Sequence, residues 1–376
     1  MQRIEKIDPS TLSGEPKRIF ERWSPGGQPL NIVLIYFRNL NLNRNWSYMA
    51  THLFMKNSLS DRQREIIVLR VSWQCASDYE FIQHVRIVRE QALMTEDEIK
   101  DLLQQEPVGD WTPAERTLIA LSDELLALNS VTDPTWCELT AHFDVKQQLD
   151  AIATAGGYTL NSMATNSFDV DIEDTMQRES GLVPSWHAPA FRFMDREDYD
   201  AANSRAPDGK PPADEKAEGI TRPFLDRSER VGLLSVIAHH PLLVRDWLPI
   251  IRHVDTESTL DRETRLIVAI RTAYRCNCSA ELADRKAIAV NAGVQADDIN
   301  RALSSVPESA CVDRLGLLVR ATDELIDNML VSDSTWTLLK EFYSDEQVMD
   351  IVFAVATGLM VSWMQNALGV SAEVHA

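Results

Sequence analysis

Apolar positions recur about every 3.6 residues through most of the chain, and strict apolar–polar alternation is nearly absent. That pattern predicts helices, and the polar residues between them supply the starts. Glu65–Val71 reads as the buried beginning of a helix that Asp61 can cap, after the turn residues Asn57 and Ser58. A further helix is expected over 77–91. Thr95-Glu96-Asp97-Glu98 has an acidic first turn, and Thr112-Pro113-Ala114-Glu115 puts proline at the first helical position. Asp133-Pro134-Thr135-Trp136 and the stretch 145–166 open two more. The fold class expected is all-α.

The pattern also repeats. Shifted by 201 residues, Trp46 falls on Trp247, His52 on His253, Arg64 on Arg265, Arg70 on Arg271, Cys75 on Cys276 and Glu80 on Glu281. One residue is lost between Met94 and Glu98. Asp123-Glu124-Leu125 then lies on Asp323-Glu324-Leu325, Trp136 on Trp336, Gln147 on Gln347, Asp150 on Asp350 and Asn166 on Asn366. So many rare residues in one register imply a tandem duplication: a site-bearing domain over 1–174, a linker over 175–222, and a second, degenerate copy over 223–376. Each copy is expected to hold about six or seven helices, and the copies to pack as a fused pseudo-dimer, because small helical units bury a face on a neighbour. The linker region, about Asp171 to Pro223, is rich in Pro, Asp and Glu. It could be a lid bearing Trp186, Phe191, Phe193 and Tyr199, but a surface strap is preferred, since long connections are more often linkers.

The 376 residues suit two domains, and 44% hydrophobic with 25% charged is a soluble globular profile. The net charge of -20 argues against nucleic acid and anionic membrane as partners. No unbroken 18-residue apolar run and no signal-peptide pattern is present, and five cysteines are too few for a disulfide framework. A cytoplasmic location is the expectation. There is no glycine-rich dinucleotide fingerprint and no metal-spaced His/Cys cluster, so neither cofactor nor metal is expected.

Candidate chemistry concentrates between Leu59 and Arg89. Here an R-E-x-x-x-L-R segment (Arg64 to Arg70) precedes a small-residue turn, then Glu80 and His84 one helical turn apart. With Thr112 to Arg116, Asp123-Glu124-Leu125, Asp133-x-x-Trp136 and Asn166, this segment resembles the carboxymuconolactone decarboxylase / AhpD-like alkylhydroperoxidase superfamily, over roughly 31–174 and again 230–370. The resemblance implies a helical module acting on a small molecule. In the peroxidase branch Glu65 would be followed by a Cys-x-x-Cys and a histidine. Here Ser77 and Glu80 stand in place of both thiols, which argues against dithiol peroxidase chemistry.

What remains is a proton-transfer set. Ser77, Glu80 and His84 stand at i, i+3 and i+7 on one helix face, and Glu80 is expected to hydrogen-bond His84 and hold one tautomer. The expected roles are His84 as general base, Glu80 as its orienting group, Glu65 as a second acid/base and Ser77 as an oxyanion donor. Tyr79, Trp73 and Cys75 flank the set as candidate substrate-lining residues. The paired His52 and His253 suggest shared packing, and His239-His240-Pro241 reads as a structural turn. In the second copy Leu266 replaces Glu65, Arg285 replaces His84, Ala280 replaces Tyr79 and Cys278 replaces Ser77. The leading expectation is a cofactor-independent lyase, decarboxylase or isomerase acting on a small carbonyl or aromatic compound. Alternatives are a thiol-dependent redox enzyme using Cys75 or Cys276/Cys278, and a non-catalytic binding or assembly protein. A homodimer of the fused pair is a further level of assembly this reading allows.

Overall fold

A computed structural model describes residues 3–24, 29–173, 231–304 and 313–370. Among the described residues the regular elements are all helices, joined by turns and short irregular segments, with no strand. Most of the linker, with Trp186, Phe191, Phe193 and Tyr199, lies outside them.

In the first half, α1 (Gly14–Arg22), α2 (Asn31–Tyr36) and α3 (Leu40–Thr51) lead into a π-helical turn, His52–Lys56. Then come α4 (Asp61–Gln74), α5 (Asp78–Glu90), α6 (Glu96–Leu102), α7 (Pro113–Leu128), α8 (Asp133–His142) and α9 (Val145–Phe168). The polar starts behave as their chemistry requires. Thr95, Thr112 and Asp144 each close a capping box with the residue three positions on. At α4 the cap is Ser60, boxed with Gln63, and Asp61 pairs with Arg64 instead. Asp61 is one residue too far in: it already has helical geometry, so its carboxylate serves the first turn from the side.

The second half repeats the succession: α10 (Val231–Ile237), α11 (Pro241–Arg252), a π-helical turn His253–Glu257, α12 (Arg262–Arg275), α13 (Ser279–Asn291), α14 (Ala296–Ala302), α15 (Arg314–Asn328), α16 (Asp333–Leu339) and α17 (Asp345–Leu368). Left-handed backbone also recurs, at Ala76 and Asn277, at Asn129 and Met329, and at Asp169 and Gly369.

The sequence motifs shared by the halves have structural uses. The fully buried Arg70 grips Asp123 through two nitrogens (2.6 and 2.8 Å) and donates to the carbonyls of Leu102 and Gln104. Arg271 does the same with Asp323, Ala302 and Ser304. Glu124 accepts from Thr132 and Thr135, and Glu324 from Ser332 and Thr335, fixing the turns before α8 and α16.

The long helices α9 and α17 pack against each other at the centre. A Cβ on Gly156 would fall 2.5 Å from Met360 Cγ, so the glycine permits their close approach. Across this seam the amide of Asn166 donates to the carbonyls of Cys75 and Met329, and that of Asn366 to those of Cys276 and Asn129. Each asparagine thus ties its own half to the other. α17 is long and apolar enough to cross a bilayer, but 89% of its most apolar window is buried inside the protein, so it serves as a core helix.

Candidate active site

Three elements of the first half build the site: the first turn of α4, the first two turns of α5, and the middle of α9. α4 carries Arg64 and Glu65. The chain then turns through Ala76 at φ 51°, a left-handed conformation that costs a non-glycine residue about 1 kcal/mol. That turn starts α5 at Ser77, whose hydroxyl caps the Glu80 backbone N–H and lies 3.0 Å from Thr165 Oγ1 of α9. The hydroxyl is committed to the cap and to α9, so the oxyanion role expected of Ser77 finds no support in its contacts. Capping instead sets the direction of α5 and the height of Glu80 and His84 above α4.

His84 Nδ1 lies 2.7 Å from Glu65 Oε2, while Glu80 Oε2 is 3.9 Å from Nε2, beyond hydrogen-bond reach. The expected Glu80–His84 bond is therefore not formed, and the carboxylate that orients the imidazole comes from the preceding helix. Glu65 is held in turn by Arg64, whose Nε and Nη2 donate to Oε1 at 3.0 and 2.9 Å. The Tyr158 ring stands edge-on to the imidazole, with centroids 4.8 Å apart, and Phe54 packs at 6.4 Å. Glu65 is fully buried, and Glu80 and His84 are 5% and 6% exposed.

The two carboxyl groups are driven in opposite directions. Burial pushes both up, because the charged form loses hydration. For Glu65 the contacts with His84 and Arg64 outweigh burial and hold the carboxyl below its ordinary range. For Glu80 burial prevails: His84 lowers it, but Glu173 and Glu65 repel the charge, and the carboxyl is pushed up to about 7. Near neutral pH the site thus holds an ionised Glu65 bonded to the imidazole and a Glu80 able to give or take a proton.

Tyr79 donates to Glu173 (2.6 Å), which also accepts from Gln83 (2.6 Å) and the Asn31 backbone (2.7 Å), so Tyr79 helps to fix the carboxylate whose charge raises Glu80. Trp73 is half-buried and stacks on the Arg70 guanidinium, 4.9 Å from its ring centroid. Cys75 is buried, and burial pushes its thiol up to about 12, with Thr159 and Ser162 beside it lowering it only in part. In the second half Cys276 is likewise pushed up to about 12, and Cys278, also raised by burial, donates to Gln365.

The second-half counterpart is locked. Arg285 binds Glu281 (2.7 Å) and Asp255 (2.9 Å), and Gln365 donates to the other oxygen of Glu281 (2.9 Å). With Leu266 opposite, Glu281 has become half of a salt link.

Arg64, Tyr158 and Glu173 were not among the residues expected from sequence. Arg64 carried a signal, as the first residue of the R-E-x-x-x-L-R segment. Tyr158 and Glu173 carried none, since only the fold brings α9 and the end of the first half beside α5.

Residues 41–124, which span α3 to α7 and include Glu65, Ser77, Glu80 and His84, match the family model described as the carboxymuconolactone decarboxylase family. No curated protein matches the chain.

Proposed function

We propose that this chain, whose residues 41–124 match the carboxymuconolactone decarboxylase family model, is a cofactor-independent enzyme that moves protons on a small carbonyl or aromatic compound, in a lyase, decarboxylase or isomerase reaction. The observation that carries the reading is the division of labour around His84: Nδ1 bonded to an ionised Glu65, and Nε2 facing, 3.9 Å away, a Glu80 whose carboxyl is pushed up to about 7. Two groups with separated proton affinities on either side of one small space are what general acid–base catalysis needs.

In this mechanism the ionised Glu65 accepts a hydrogen bond from the Nδ1–H of His84 and leaves the Nε2 lone pair as the base. Nε2 takes a proton from the carbon beside the substrate carbonyl. The C–H electron pair moves toward the carbonyl oxygen, which receives the proton of Glu80. Return of a proton to another carbon completes an isomerisation. If a carboxylate occupies that position, loss of carbon dioxide leaves its bonding pair to form the same enol; if a leaving group stands on the next carbon, the enol returns its proton to Glu80 and expels that group with its electron pair, giving the unsaturated carbonyl product. Arg64 keeps Glu65 ionised, and Tyr158 and Phe54 keep the ring from turning.

A thiol-dependent reading fares less well, because all three buried thiols are raised far from neutrality and the thiolate is the reactive form. We further propose that the two halves are duplicated modules packed as a fused pseudo-dimer, with one site kept and one converted to a salt link. The paired bonds of Asn166 and Asn366 support this. The test of the function is a panel of small ketones, lactones and aromatic acids incubated with the chain in D2O and followed by proton NMR for C–H exchange or loss of carboxylate. Exchange that needs the protein and no added metal, flavin or nicotinamide is the expected result. Peroxide consumption that stops on thiol alkylation, with no exchange on any compound, would favour the redox alternative.

A further inference from the structure

A second cluster of chemistry-bearing side chains lies where the two halves meet. Asp150 of α9 receives His52 Nε2 on Oδ1 at 2.8 Å and His240 Nε2 on Oδ2 at 3.0 Å. His52 opens the π-helical turn after α3, and His240 comes from the second half, at the cap of α11. The three donor atoms lie within 4.8 Å of one another, and all three residues are buried, none more than 3% exposed. The Ser58 backbone N–H and hydroxyl anchor Asp150 from behind, at 2.7 and 2.6 Å.

The related position in the second half shows what packing alone requires. Asp350 there receives His253 Nε2 at 2.8 Å and the Thr259 N–H and hydroxyl at 2.6 and 2.7 Å. Its cross-half partner is the amide of Asn39, at 3.0 Å. An asparagine satisfies the same carboxylate across the same seam, so the hydrogen-bond network does not need an imidazole. At Asp150 the imidazole adds an aromatic nitrogen lone pair, which an amide nitrogen lacks. A second difference lies behind His52. Its Nδ1 is 3.6 Å from Asp246 Oδ2, and Asp246 is steadied by Lys56 and Arg245. The residue in register with Asp246 in the first half is Asn45, which carries no charge.

We propose that His52, Asp150 and His240 form a structural binding site for a borderline divalent cation of the zinc class, clamping the two halves together. Two imidazoles and one carboxylate are a zinc-type donor set. Ligands about 2.0 Å from a tetrahedral metal stand about 3.3 Å apart; the two histidine–Asp150 separations, 2.8 and 3.0 Å, need to open by only a few tenths of an ångström, and the three ligand atoms lie within 4.8 Å of one another. On binding, the metal replaces the two Nε2–H bonds to Asp150. Each imidazole proton moves to Nδ1, where Asp246 stands to accept that of His52, as an outer carboxylate commonly does for a metal-bound histidine. Three protein ligands leave the fourth tetrahedral position to a water; all three are buried and none belongs to the group around His84, which suits a clamp between the halves. Sequence spacing could not reveal it, because one ligand comes from the other half.

The test is titration of the chelator-stripped full chain with zinc chloride by calorimetry, and with cobalt(II) for the visible bands of a tetrahedral site. One equivalent per chain is expected, with a rise in thermal midpoint. His240→Asn copies the arrangement at Asn39, so it should keep native helicity while zinc affinity falls by at least about a hundredfold. Asn39→His should build a second site at His253 and Asp350 and add a weaker second equivalent. His84→Ala should bind zinc as the parent does. Absence of stoichiometric binding by the parent, unchanged binding in His240→Asn, or loss of binding in His84→Ala instead would each overturn the proposal. If His240→Asn does not fold, a stoichiometry that stays at one in a folded Asn39→His overturns it as well.

Discussion

Replacing Glu80 with glutamine should make the protein more stable in mild alkali, and the structure sets the size of the gain. The Glu80 carboxyl is raised from the ordinary 4.5 to about 7, first by burial and then by Glu173 and Glu65. Between those two values the folded protein holds a proton that the unfolded chain has released. The unfolded state binds fewer protons, so stability falls as pH rises through this window and is level above it. At about 1.4 kcal/mol per pH unit, the loss comes to about 3 kcal/mol. Glutamine resembles the protonated acid and does not titrate. Glu80→Gln should therefore match the parent near pH 4.5 and exceed it by up to about 3 kcal/mol at pH 8, while losing the proton that the proposed mechanism uses. Urea denaturation of both proteins at the two pH values, followed by helical circular dichroism, gives the difference. The charge of the rest of the chain affects both proteins alike and cancels. A variant less stable than the parent at pH 8, or an equal pH dependence in the two, would refute the assignment of a strained, protonated Glu80.

Other expectations follow from the same contacts. Arg285→Ala should leave turnover near the parent value in a substrate assay, since Arg285 is locked to Glu281 and Asp255 in the altered half. Under native conditions at pH 8, an alkylating reagent read by peptide mass should modify the exposed Cys137 and spare Cys75, Cys276 and Cys278, which are buried. Gly156→Ala should lower stability by about 1–3 kcal/mol in urea denaturation, because the added methyl meets Met360 across the seam between the halves.

How far the sequence could be read divides along physical lines. The helices were legible because apolar spacing and capping residues are local signals: Thr95, Thr112 and Asp144 lie at the starts their chemistry implies. The residues that recur in register, such as Arg70 with Arg271 and Asn166 with Asn366, could be matched from sequence because matching needs only spacing, and they make like contacts in the two halves. The site was half legible. Glu65, Glu80 and His84 do come together, but spacing on one helix favoured Glu80 as the partner of His84, and it is Glu65 that bonds the ring. An i,i+4 pair is near in backbone terms, whereas a carboxylate on an adjacent helix reaches the ring end-on and is shaped for it by Arg64. Ser77 was singled out for chemistry and serves as an N-cap, a use that its place before an acidic turn could have suggested. Tyr158, Glu173 and the His52–Asp150–His240 cluster depend on contacts between distant segments, for which one sequence carries no periodic or spacing signal.

The central claim is that His84, and no thiol, carries the chemistry. It is tested most directly by turnover of the parent, His84→Ala and Cys75→Ser, purified together, checked for native helicity and assayed side by side on a compound whose C–H exchange the parent catalyses. Loss of about a hundredfold or more in His84→Ala, the usual contribution of a general base, with near-parent turnover in Cys75→Ser, is the expected result. Near-parent turnover in His84→Ala together with collapse in Cys75→Ser would contradict it.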